Sequence, residues 1–209
     1  MNLHRRGAKA LLDVLVGLGM LECEGGDLYG NTPETEAFLV EGRETYVGGL
    51  LDLMGGQMWQ CWSGFTDMLR TGRPQYAPTG TDEGTVFDVH YADPDTLTTF
   101  LTAMSGISAG PARALAEAFP WDRHRSVVDI GTAQGRLPVE LARTHAHLAV
   151  GGFDLPTVGP AFQSYVAESG LSERITFCPG DFSTDELPTA DVLVMGHSPR
   201  TARPSTTAA

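Results

Sequence analysis

Hydrophobic positions along the first part of the chain keep a helical spacing. Leu11, Leu15 and Leu18 recur at i, i+4 and i+7, which predicts an amphipathic helix over about residues 6–18, closed by Gly19. Residues 20–24 and 28–29 are two short segments joined through Gly25, Gly26 and Asp27. Those three residues accept positive φ, so the pair reads as a hairpin. A helix followed by a small hairpin is the outline of a winged helix. Asn31, Thr32, Pro33 and Glu34 then offer a capping hydroxyl, a proline for the first helical position and an acid for the first turn, which starts a short helix. Over residues 46–69, Leu51, Met54, Met58, Trp62, Phe65 and Leu69 recur at spacings of three or four and predict one long helix ended by Gly72 and Pro74. Residues 73–84 read as a polar loop. A helix after Asp93 and Pro94 sets Leu97, Leu101, Met104 and Ser108 on one face, and a further helix is predicted over 111–119.

Beyond Ser126 the pattern changes. Apolar runs of strand length at 127–130, 149–153, 175–178 and 192–195 alternate with helical stretches, of which 137–144 and 161–170 are the first two crossovers. That alternation predicts a parallel sheet with right-handed connections, and places a domain boundary near residues 120–125.

Composition narrows the function classes. The chain has 209 residues, 42% of them hydrophobic, and a formal net charge of -12. Such a chain can bury a core, and its charge disfavours phosphate backbones and anionic lipid, so neither nucleic acid nor membrane is expected as a partner. Cys23, Cys61 and Cys178 are far apart and follow no ligand spacing, which suits reduced thiols in the cytoplasm. His4, Arg5, Arg6 and Lys9 ahead of the apolar run at 11–21 imitate a leader peptide, but Asp13 interrupts the run and no small-residue cleavage site follows. No metal site is expected.

Chemistry concentrates at the ends of the predicted strands. Asp129, Ile130, Gly131, Thr132, Ala133, Gln134 and Gly135 take the first strand through a glycine-bearing turn into a helix, where open α/β sheets bind their ligands. The turn lacks the spacing of a dinucleotide fingerprint and, alone, fits a simple tight turn equally well. Asp154 and Leu155 end the second strand, and an acid there can accept both ribose hydroxyls of a nucleoside. Gly180, Asp181 and Phe182 end the third, where the carboxylate can accept an exocyclic amine and the ring can pack on a purine. Three such elements on consecutive strand ends point to one nucleoside pocket.

The runs DIGTAQG, GGFDLPTVGP and ERITFCPGDFSTDELPTADVLVMGH, with LLDVLVGLGMLE, NTPETEAFLV and YVGGLLDLM before them, resemble the plant-type O-methyltransferase family in its bacterial branch. The likeness covers about residues 3–197. It implies an α/β class I methyltransferase fold, here a Rossmann-like parallel sheet incomplete at about four strands, preceded by a mostly helical winged-helix and dimerisation region. The implied division is 1–42 a partial winged-helix dimerisation unit, 43–120 linker and substrate-pocket helices, 121–197 the first half of the catalytic domain and 198–209 a tail outside the family. It also implies S-adenosylmethionine as cofactor, with Gly131 and Gly135 toward its methionine part, Asp154 toward the ribose, and Asp181 with Phe182 toward the adenine. Asp129, Leu155 and Gly180 belong to the same motifs. Met54, Met58, Trp59, Trp62, Phe100 and Met104 are expected around a small hydroxyl-bearing acceptor, aromatic or polyketide-like.

One departure bears on activity. The family places a general-base histidine three residues after a Gly-His pair, whereas here Gly196 and His197 are followed by Ser198, Pro199 and Arg200, and arginine does not act as a base. No catalytic residue is therefore assigned. The tail at 198–209 reads as an out-of-frame extension. The start reads as clipped within the helices that make the family homodimeric. An open fourth strand, leaving several hundred Å2 of apolar surface wet, would forfeit on the order of 10 kcal/mol, so impaired folding and activity are expected. Two other readings stand beside a truncated O-methyltransferase: a non-catalytic cofactor-binding or dimerising fragment, and a winged-helix regulator.

Overall fold

A computed structural model describes residues 3–43, 45–72, 91 and 93–196. The sequence-predicted loop at 73–84 and the features of His197, Arg200 and the tail lie outside the described residues. In chain order the elements are α1 (Arg5–Gly17), β1 (Leu21–Glu24), β2 (Leu28–Asn31), α2 (Pro33–Phe38), α3 (Gly49–Leu53), α4 (Trp59–Ser63), α5 (Phe65–Thr71) and α6 (Pro94–Ala118). The second part follows with β3 (Ser126–Ile130), α7 (Arg136–Thr144), β4 (Ala149–Asp154), α8 (Gly159–Glu168), β5 (Ile175–Pro179) and β6 (Val192–Met195). No helix among the described residues is long and apolar enough to cross a membrane.

The N-terminal elements follow their local signals. Gly25 and Gly26, at φ 61° and 86°, turn β1 back on β2, and the strands pair antiparallel from Leu21 opposite Asn31 to Glu24 opposite Leu28. The Tyr29 hydroxyl donates to Asp13 at 2.6 Å and accepts from Lys9 at 3.1 Å, which ties the hairpin to α1. Thr32 caps α2 by accepting the Thr35 amide, with Pro33 in the first turn as its fixed φ allows.

Two helical predictions change. The long helix over 46–69 is broken into α3, α4 and α5, because Gly55 and Gly56 interrupt it, Gly56 with φ -90° and ψ -108°, and Gly64 separates the last two pieces. Conversely, the helices expected before and after residue 110 are one. Pro111 removes a single backbone bond inside α6, while Ala112 and Ala116 beyond it are buried and keep the helix docked. Gly49 lets α3 lie against α6, since a Cβ there would stand 3.3 Å from the Ala103 Cα.

The strands of the main sheet are parallel in the order β5-β4-β3-β6. The chain leaves β3 on one side, through α7, β4, α8 and β5, and returns on the other at β6. This reversal opens a crevice at the carboxyl end of β3, where such sheets seat ligands. Alternate β3 residues serve opposite faces, as strand pleating requires. Val127 joins Val139, Leu141, Val150, Phe162 and Val166 in the larger core beneath α7 and α8, whereas Val128, Ile130 and Phe153 form a smaller cluster with Phe182 against it. Trp121, almost fully buried, belongs to the larger core and donates its indole N–H to the Leu115 carbonyl near the end of α6. At the amino end of the sheet Asp191 accepts the Arg125 and Ser126 amides while its own amide donates to the Ser126 hydroxyl, which fixes β6 beside β3.

Candidate functional site

The turn after β3 is built from residues that tolerate a left-handed backbone, with one exception. Gly131 and Gly135 have φ of 73° and 90°, and Ala133 between them has φ 52°, the one positive-φ non-glycine position among the described residues. Backbone bonds close the turn: the Gly131 amide donates to the Phe153 carbonyl at 2.8 Å and the Gly135 amide to the Thr132 carbonyl at 2.9 Å. The Phe162 ring of α8 seals it from behind. A Cβ at Gly135 would stand 2.7 Å from that ring, and one at Gly152 on β4 would stand 2.5 Å from it. Glycine at these positions thus brings helix and turn close together.

Three carboxylates surround this turn. Asp154, at the end of β4 and 7% exposed, accepts the Ala133 amide on Oδ2 and the Leu155 amide on Oδ1, each at 2.8 Å. Burial raises its pKa, and the two amides draw it back. Asp129, also buried, is pushed up to about 7 by desolvation; the Thr132 hydroxyl opposes the rise and the Asp154 charge adds to it. Asp181, after β5, is held below the usual carboxylate range, chiefly by the Ser183 hydroxyl and then by the Ser183 amide. Its position is set by Gly180, whose amide donates to the Asp154 carbonyl and whose missing Cβ leaves room for the Phe153 ring.

These groups face one cavity of about 510 Å3. Asp129, Gly131, Asp154, Leu155, Asp181 and Phe182 line the strand side; Phe100 and Met104, with Ser105 and Ser108, line the α6 side. Of the sequence-predicted residues, Gly135 and Gly180 lie outside the wall and act through the packing just described. Met54, Met58, Trp59 and Trp62 are not in the wall either. Trp59 and Trp62 are 71% and 60% exposed.

Other wall residues were not foreseen. Tyr91 lines the cavity, its phenol pKa raised by burial and by the Asp154 charge, and nothing in the local sequence distinguishes it. Arg136, at the start of α7, also lines it, with an ion pair to Glu140 at 2.8 Å and a hydrogen bond to the Tyr165 hydroxyl at 3.2 Å. Its i, i+4 spacing to Glu140 was the available signal. Ser108 sits on the helix face that the periodicity marked out, whereas Ser105 was not singled out.

Chemically, the cavity suits a ligand with hydroxyl donors and positive charge. A carboxylate has about four lone-pair directions, and the two amides on Asp154 leave others for a ligand. Asp129 and Asp181 add further acceptors, and Phe182 supplies an aromatic surface.

Comparison with known proteins places this geometry in context. A family model described as an O-methyltransferase domain matches residues 62–197. The tetracenomycin polyketide synthesis 8-O-methyl transferase TcmO of Streptomyces glaucescens is 40% identical over 196 residues, covering 94% of this chain and 56% of TcmO. The N,N-dimethyltransferase OxyT of Streptomyces rimosus is 37% identical, covering 91% of this chain and 55% of OxyT. Human N-acetylserotonin methyltransferase, solved in complex with SAM, superposes with a TM-score of 0.79 at 28% identity, over 91% of this chain and 55% of that one. The chain spans about half the length of the curated relatives it matches.

Proposed function

Because the chain belongs to the O-methyltransferase domain family and has the class I methyltransferase fold, we propose that its cavity binds S-adenosylmethionine for methyl transfer to a small metabolite. The observation that carries this reading is the convergence of Asp129, Asp154 and Asp181 with the turn at Gly131 on one cavity at the switch point of the sheet. The donor set fits the cofactor. Asp154 would accept the ribose hydroxyls, Asp181 with Phe182 would hold the adenine, and the turn at 131–135 would face the methionine part. When bound, the cofactor supplies a methyl group made electrophilic by a sulfonium.

The chain's own residues would bind and orient. The Asp129 and Asp154 carboxyls, both raised by burial, face the cavity, and a cationic ligand there would favour their ionised forms. Phe100 and Met104 would hold an apolar acceptor on the α6 side, and the reaction asks mainly for alignment of that acceptor with the donor. The acceptor favoured is a hydroxyl on an aromatic or polyketide-like molecule, a reading supported by the similarity to TcmO. A nitrogen acceptor is the second reading, supported by the similarity to OxyT. With Arg200 where the family carries its histidine base, this chain would bind the cofactor and transfer slowly or not at all. The N-terminal helix and hairpin would serve dimerisation, as in the family. Titration calorimetry with S-adenosylmethionine beside a methyl-transfer assay on a polyketide phenol tests the proposal. Binding with slow transfer supports it, and absence of binding overturns it.

A further inference from the structure

One side-chain hydrogen bond crosses from α6 to the turn after β3: the Ser105 hydroxyl donates to Gln134 Oε1 at 2.9 Å, with both residues half-buried. Ser105 itself lines the cavity, between Met104 and Ser108, which do the same. Gln134 stands between Ala133 and Gly135, both left-handed, so the backbone on either side of it is fixed. The turn is therefore held from two directions. Asp154 grips it through the Ala133 amide from the strand side, and Ser105 grips it through the Gln134 side chain from the helix side.

We propose that Ser105 and Gln134 form a latch that sets the spacing between the acceptor wall on α6 and the cofactor turn, and so act as positioning residues for the ligand. The inference rests on the reading that the cavity holds S-adenosylmethionine. Its physical basis is that the two walls belong to different parts of the chain, 29 residues apart in sequence. A misplacement of about 1 Å between reacting groups costs roughly a hundredfold in rate. A short, directional bond between the walls restricts such sliding better than apolar packing, which has no directional preference.

The test uses the whole chain in four variants, Ser105→Ala, Gln134→Ala, the double substitution and the conservative Ser105→Thr, with two measurements. By calorimetry, each alanine variant is expected to bind S-adenosylmethionine about three- to tenfold more weakly, the range one hydrogen bond supplies. The double variant should lose no more than either single one, and Ser105→Thr should bind as the wild type. By amide exchange of the ligand-free chain, residues 132–135 should exchange faster in Ser105→Ala. Additive losses, or alanine variants that bind as tightly as the wild type with only a lowered melting temperature, overturn the latch. A wild type that binds no S-adenosylmethionine sinks the functional reading instead. The exchange measurement then decides the latch alone, and unchanged exchange at 132–135 overturns it.

Discussion

The Ala133 amide donates to Asp154 Oδ2 at 2.8 Å, so the acid that ends β4 holds the turn after β3 in a conformation that alanine disfavours. A left-handed backbone costs an ordinary L residue about 1–2 kcal/mol, and the Asp154 contact offsets that cost where the ligand is expected.

Ala133→Gly should therefore keep thermal stability within about 1 kcal/mol, because relief of the left-handed strain opposes the greater freedom of glycine in the unfolded chain. Ala133→Val should lose about 2 kcal/mol, since a β-branched residue fits φ 52° poorly. Denaturant melts of the two variants check this. A valine variant as stable as the wild type would show that the turn is not held as described.

Gly135 and Gly170 separate backbone strain from crowding. Both have positive φ, but a Cβ at Gly135 would stand 2.7 Å from the Phe162 ring while one at Gly170 meets nothing within 4 Å. Gly170→Ala should cost about 1 kcal/mol, and Gly135→Ala about 2–4 kcal/mol with a disturbed turn. Equal losses in the two melts would contradict the packing of α8 against the turn.

These contacts also show what the sequence could reveal. The strand ends at Asp129, Asp154 and Asp181 were legible because each acid falls at or near the end of an apolar run of strand length, and chain order alone then brings three parallel strands together. On the other wall Phe100 and Met104 were legible from the helical period, and the rest was not. Met54, Met58, Trp59 and Trp62 share one stripe only if residues 46–69 form one straight helix, and the kink at Gly56 breaks that period. Pro111 read as a break, although burial of Ala112 and Ala116 carries α6 through it. Tyr91 and Ser105 reach the cavity through tertiary packing, and no local period encodes that. The hydrogen bond between Ser105 and Gln134 joins positions whose relation exists only in the folded chain.

Asp129 predicts a pH dependence. Its pKa is 3.8 as an ordinary carboxyl and about 7 in the folded chain. The folded chain therefore holds the extra proton between those values, so this group's contribution is greatest below about 4 and falls as pH rises toward 7. Asp154, raised as well, acts in the same direction, whereas Asp181 and Asp191, held low by hydrogen bonds, add stability that is lost only at more acid pH. Asp129→Asn should flatten the decline in melting temperature between pH 4 and 7. A decline of the same size in the variant would remove Asp129 as its cause.

The ion pair of Arg136 with Glu140 has both side chains about nine-tenths buried. Glu140→Ala should cost about 3 kcal/mol, because it removes one member of a buried ion pair. Replacing both residues with apolar ones of similar size should cost less than that single change. If the double variant is the less stable in urea melts, the pair contributes more attraction than its desolvation takes away.

Calorimetric titration of the purified chain with S-adenosylmethionine, repeated on Asp154→Ala after circular dichroism has checked that the variant is folded, decides whether the cavity holds this cofactor. Saturable binding to the wild type is expected, with an affinity lower by about tenfold or more in the variant, the loss expected for hydrogen bonds to a charged acceptor. A folded wild type that gives no binding heat, or a variant that binds as tightly, would contradict it.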